Sequence, residues 1–97
     1  MNSIKLAIDM LDHHIAIARS ASSDFDRAAL FAATTILVRD LESELVEDDG
    51  YASEKLEQVR WHICAMLGYD INNGHDDGMH HAWAVTAIDS LRGRLGQ

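Results

Sequence analysis

Residues 28–38, AALFAATTILV, constrain this chain more than any other stretch, because Thr34 and Thr35 are their only polar side chains. Eleven positions without a charge leave no helical face for water, so the segment reads as a helix sheathed on every side by other elements. Past Arg39 the apolar residues thin to Leu41, Leu45 and Val46 among acids, and the same helix emerges amphipathic. Ala28, Ala29, Ala32 and Ala33 are small enough to let neighbouring helices approach closely, as a bundle requires.

The remaining helices follow from the spacing of apolar residues. Over residues 3–18, Ile4, Ile8, Leu11, Ile15 and Ala18 step by four, three, four and three and define a core stripe. Leu6, Met10, His13 and Ile17 form a second line on that helix, giving it more apolar surface than one neighbour covers. Two outcomes fit: the helix is wedged between two others of its own bundle, or Leu6, Met10 and Ile17 are a dimer face.

Residues 20–23 are a polar break, and Ser23-Asp24-Phe25-Asp26 is a Ser-x-x-acid cap that opens the second helix. That helix runs to about Asp48, where Asp49-Gly50 supplies a stop. A third helix covers about residues 53–67 on Leu56, Val59, Ile63, Met66 and Leu67, with Gly68 ending it. Residues 68–78, GYDINNGHDDG, carry three glycines and no apolar period and read as a loop. The fourth helix spans about residues 79–95, capped by Asp76 or Asp77, on His81, Ala84, Ile88, Leu91 and Leu95. A shift of 48 superposes Ile8, Leu11, His14 and Ile15 on Leu56, Val59, His62 and Ile63, the kind of internal likeness two packed hairpins produce. The expected fold is therefore all-α, one domain over residues 1–97, an antiparallel four-helix bundle built from two helical hairpins with the second helix central. The absence of proline agrees with that class.

Charge narrows the function. Sixteen acids against eight bases give a net charge of −8 with histidines neutral, which repels phosphate backbones and anionic lipid, so neither nucleic acid nor membrane is an expected partner. The lone Cys64 forms no internal disulfide, the N-terminus lacks the continuous apolar run of a signal peptide, and the 28–38 run is too short to span a bilayer. A cytoplasmic protein is the expectation.

Eight of the sixteen acids fall between Asp40 and Glu57. Acids in the last turn of a helix oppose its macrodipole, so folding alone does not ask for Glu47 and Asp48, whereas a basic surface on a partner protein would. Trp61, Met79 and Trp83 lie off the core stripes of their helices, and a large side chain in that position is a common interface anchor. The assigned partner-binding set is accordingly Glu44, Glu47, Asp48 and Asp49 at the acidic end, with Trp61, Met79 and Trp83.

No Gly-x-Ser-x-Gly or His-Glu-x-x-His occurs, and Cys64 and His62 stand two apart, where helical side chains diverge, so no enzyme and no cofactor are expected. Six histidines still raise a metal reading. His14, His62, His80 and His81 with Asp76 or Asp77 are its candidate ligands, but the chain has no Glu-x-x-His of the di-iron bundles. The leading expectation is a small acidic interaction module that inhibits or adapts another protein stoichiometrically, in the manner of bacterial immunity proteins or phage-encoded inhibitors of host defence. A homodimeric structural or regulatory protein is the first alternative, and a His/Asp metal-binding bundle the second.

Overall fold

Four helices carry the chain: α1 (Ser3–Ala18), α2 (Asp24–Glu44), α3 (Gly50–Met66) and α4 (Asp77–Leu95). The structure is a computed structural model that describes residues 3–45, 50–69 and 74–95, and no strand occurs among them. The helix packing is that of a bundle.

The helix ends are set by local hydrogen bonds. Ser23 Oγ accepts from the Asp26 N–H at 3.0 Å and opens α2, as its capping pattern requires. Asp76 Oδ1 accepts from the Met79 N–H at 2.9 Å and caps α4. At the end of α3 the Tyr69 N–H reaches the Cys64 carbonyl and the Gly68 N–H the Ala65 carbonyl, the paired bonds of a Schellman turn. That turn needs a left-handed residue, and Gly68 supplies it at φ +84°. α3 begins at Gly50 and α4 at Asp77, a few residues before the apolar period predicts. Tyr51 is exposed, so much of that first turn of α3 is wet and carries no pattern to read.

The core is centred on α3. Its residues 62–66 and the following Leu67 are all buried, six in succession, so this is the segment enclosed on every side. α3 packs most extensively on α4 and also touches α2 and α1, while α2 and α4 make no contact with each other. α1 contributes Ile8, Leu11, Ile15 and Ala18, the stripe its spacing predicts. α1 is clasped to α4 across the sequence by Arg92, which donates to Asp9 at 2.8 Å and to Asp12 at 3.1 Å. Lys5, which donates to Asp9 at 2.9 Å, and then Arg92 hold the Asp9 carboxyl below its ordinary range.

The central position expected for α2 is not observed. Its buried residues are Leu30, Thr34, Val38 and Leu41, one stripe stepping four, four and three, whereas Ala28, Ala29 and Ala32 are exposed and Ile36 is 48% exposed. The physical reason lies in the composition of the run. Alanine gains little from burial, so four alanines do not force a helix inward, and one stripe of larger side chains is enough to anchor α2 at the edge of the bundle. α1 packs against α2, α4 and α3 as a wedged helix does, but that packing leaves the second line of Leu6, Met10 and Ile17 exposed.

These positions separate in a stability measurement. Ile63→Ala should cost about 2–5 kcal/mol in urea unfolding, because it opens a cavity in the enclosed segment of α3. Ile36→Ala should stay within about 0.5 kcal/mol of the parent, as an exposed substitution does. Equal losses would restore α2 to the centre.

Candidate functional site

Two features stand apart from ordinary core and surface: the seam where α1 lies against α2, and a cluster of histidine and tryptophan rings where α3 meets α4.

The seam arises because both helices carry apolar residues beyond their core stripes. Ile17, Ala21, Ala29, Leu30 and Ala33 line a groove of about 410 Å³ at one end of it. Ile4, Ala7, Leu37 and Leu41 line a second of about 180 Å³ at the other. On α1, Leu6, Met10 and Ile17 step by four and seven and so stand in one line, all exposed. On α2, Phe25, Ala29, Ala32 and Ile36 form the matching line, with Phe25 81% exposed. Acids also enter the seam, all from α2: Asp26 in the larger groove, Asp40 and Glu44 in the smaller. Arg39 lies 3.6 Å from Asp40, but both side chains are so exposed that the pair is worth little.

The ring cluster is built from α3, α4 and the turn before α4. His62 and His80 are both buried, with their Nδ1 atoms 2.9 Å apart. One Nδ1 carries the hydrogen and donates while the other accepts, so the contact holds a single proton. Trp61 and Trp83 pack on the pair, with ring centroids 4.7 and 5.4 Å from His62. His75 closes over Trp83 edge to face, at 4.9 Å. Burial, reinforced by the neighbouring His80, pushes His62 down to about 4. A third buried histidine, His14, shares a hydrogen bond of 3.0 Å with Thr34 across α1 and α2. Its pKa is lowered as well, by burial first and by His13 second.

The sequence-derived candidates divide between these features. Glu44 lies in the seam. Glu47, Asp48 and Asp49 fall outside the described residues. Trp61 and Trp83, each half-buried, pack against the histidines, and Met79 is exposed on α4. Leu6, Met10 and Ile17 are exposed on the seam. Of the metal candidates, His62 and His80 meet each other, His14 is bonded to Thr34, Asp76 caps α4, His81 is half-buried and Asp77 is exposed. Among the described residues no group of three or more ligand side chains could hold a metal ion. The stripe expected for α4 has His81 at its head, where the buried residue is His80; Ala84 follows His80 by four and His81 by three, both helical steps, so spacing alone does not choose between two adjacent histidines. At the acidic end Glu42 is raised by burial and by sharing a hydrogen bond with Glu57, which is itself bonded to Arg60.

Compared with known protein families, with curated proteins and with solved structures, the chain matches none.

The depressed histidines set a pH dependence whose sign is fixed. An unfolded histidine takes up its proton near 6.5, whereas His62 holds out to about 4 and His14 is likewise lowered. The stabilisation from their neutral forms is complete above about pH 6.5 and erodes as pH falls from there toward about 4, by up to about 1.4 kcal/mol per pH unit for each proton bound only by the unfolded chain. Urea unfolding between pH 7.5 and 4 should show that acid limb. The double variant His14→Gln, His62→Gln should flatten it, and limbs of equal slope would show that other groups carry it.

Proposed function

We propose that this protein is a small acidic interaction module that acts stoichiometrically on another protein, as an inhibitor or adaptor does, and that its working surface is the outer face of α1 and α2. The observation that carries the reading is the concentration of exposed apolar side chains on these two helices. Leu6, Met10 and Ile17 share one line of α1, Phe25 and Ile36 share one line of α2, and Ile17 lines the groove between the two helices. Exposed apolar surface concentrated in this way marks a contact site, whereas scattered single residues do not.

The reading takes the four helices as two antiparallel hairpins, α1 with α2 and α3 with α4. Ile4 sharing a groove with Glu44, and Ile17 sharing one with Ala29, support the first. The extensive packing of α3 on α4 supports the second. The ring cluster is then the internal brace of the second hairpin and leaves the first free to meet a partner. Among the described residues no helix is long and apolar enough to cross a membrane.

Self-association through the same face is the competing reading, because Leu6, Met10 and Ile17 would serve a homodimer equally well. Light scattering at tens of micromolar separates the two: a mass of 10.8 kDa is expected, and a dimer dissolved by Met10→Lys with Ile36→Lys would assign the face to a second copy. Quantitative affinity enrichment from the source cells should return a partner in about equimolar amount with the parent protein and lose it with that double variant, whose melting temperature should move by only a few degrees. Recovery of the same partner by both proteins would place the working surface elsewhere.

A further inference from the structure

We infer that the seam between α1 and α2 is a docking groove for an amphipathic, basic α-helix of the partner. The inference rests on the proposed interaction function and adds to it the chemistry of what is bound.

Three observations converge on that occupant. The first is length. From Asp26 in the larger groove to Glu44 in the smaller, α2 advances eighteen residue steps, about 27 Å at 1.5 Å per residue, which is the span of a helix of about five turns. The second is the floor. Ile17, Ala21 and Ala33 line the larger groove and Leu37, Ala7 and Ile4 the smaller, two apolar depressions along one seam that suit apolar anchors spaced at i, i+3, i+4 and i+7. The third is the distribution of charge across the seam. The α1 side and the turn after it contribute Ile4, Ala7, Ile17, Ser20 and Ala21, which carry no charge, while Asp26, Asp40 and Glu44 stand along α2, and no lysine or arginine lines either groove among the described residues. A helix lying there with its apolar face down meets carboxylates on one flank only, so lysines or arginines on that flank are what it must carry.

The same asymmetry argues against a second copy. Two copies placed face to face, each of net charge −8, would set the acidic flank of one against either the acidic flank or the uncharged α1 side of the other, and neither arrangement supplies the carboxylates with a cation apart from the exposed Arg39. The acids here are not a patch standing alone. They matter because they border a groove whose floor is apolar and whose opposite side is uncharged.

A labelled synthetic 18-residue helix of leucines and lysines in amphipathic order serves as the probe, with a leucine and glutamate version of identical pattern as its control. Fluorescence anisotropy against the full protein should show the lysine helix binding and the glutamate helix at least about thirtyfold weaker, since like-charge juxtaposition is costly. Ala29→Trp, at an exposed position that lines the larger groove, should weaken the lysine helix by about tenfold, the loss of one well-placed contact. The isosteric triple variant Asp26→Asn, Asp40→Asn, Glu44→Gln should also weaken it and flatten its salt dependence. Glu54→Gln, Asp77→Asn, Asp89→Asn removes the same charge away from the seam and should change binding by no more than about twofold.

Equal weakening by the two triple variants, or indifference to Ala29→Trp in a protein that still melts cooperatively, would show general charge attraction and overturn the groove. The two levels of inference also fail differently. A cellular partner lost with Met10→Lys, Ile36→Lys, together with a lysine helix that does not bind, rejects the basic helix and leaves the interaction function standing. Absence of any partner that depends on the face rejects the function itself.

Discussion

Enclosure of the second half of α3 is the constraint from which the rest of the molecule follows. Six consecutive buried residues cannot be covered by one neighbour, so α4, α1 and α2 must all touch α3. Once α3 holds the centre, α2 and α4 stand too far apart to meet, and each has an outer face with no helix against it. α4 covers part of its exposure with polar residues such as Thr86 and Asp89. α2 exposes polar residues at its two ends, such as Asp26, Asp40 and Glu44, but between them it leaves Ala28, Ala29, Ala32 and Ile36 facing water, with Phe25 exposed near its start. The apolar face is thus what remains of α1 and α2 after the core has been satisfied.

The interior is held partly by buried polar groups bonded to one another. His14 with Thr34 joins α1 to α2, and His62 with His80 joins α3 to α4, so a hydrogen-bonded imidazole ties each of the two contacts. A buried polar pair of this kind adds little net stability but penalises any register that separates its members. The two indoles packed on His62 deepen its desolvation and make the single-proton state firmer. By contrast, Thr35 Oγ1 is buried with no hydrogen-bond partner among the described residues, and its hydroxyl serves no purpose visible in the fold.

How much of this was readable from the sequence depended on which physical signal each element carried. α1 was legible from end to end because its core residues are large and strictly periodic, and so was the stop at Gly68, where only glycine enters the required turn without strain. The position of α2 was misread, since hydrophobicity summed over residues 28–38 counts four alanines as core when alanine is nearly indifferent between core and surface. The ring cluster was half legible: Trp61 and Trp83 stood out as large residues off the stripes, but the pairing of His62 with His80 joins two helices and leaves no mark in local spacing. The i,i+18 separation of those two histidines, on either side of a loop that returns the chain, was the one clue that they could meet. The apolar face itself was visible on α1 as the second line of Leu6, Met10 and Ile17, while its α2 half was hidden inside the run taken for core.

The acids on α2 connect solubility to recognition. Asp26 sits in the first turn, where it complements the helix dipole, but Asp40 and Glu44 lie toward the C-terminus, where the dipole disfavours them by a few tenths to about 1 kcal/mol each. A helix that only had to fold would place lysines there. Placed beside an exposed apolar seam, those carboxylates make the approach of a second identical seam unfavourable, and net charge far from zero extends that protection to the whole molecule. They do so without covering the methyl groups, which stay open to any surface of opposite charge. The small loss of helix stability at the end of α2 therefore falls where it discriminates between self and partner, and a neutral or basic seam of the same shape would lose that distinction while gaining only a slightly firmer helix.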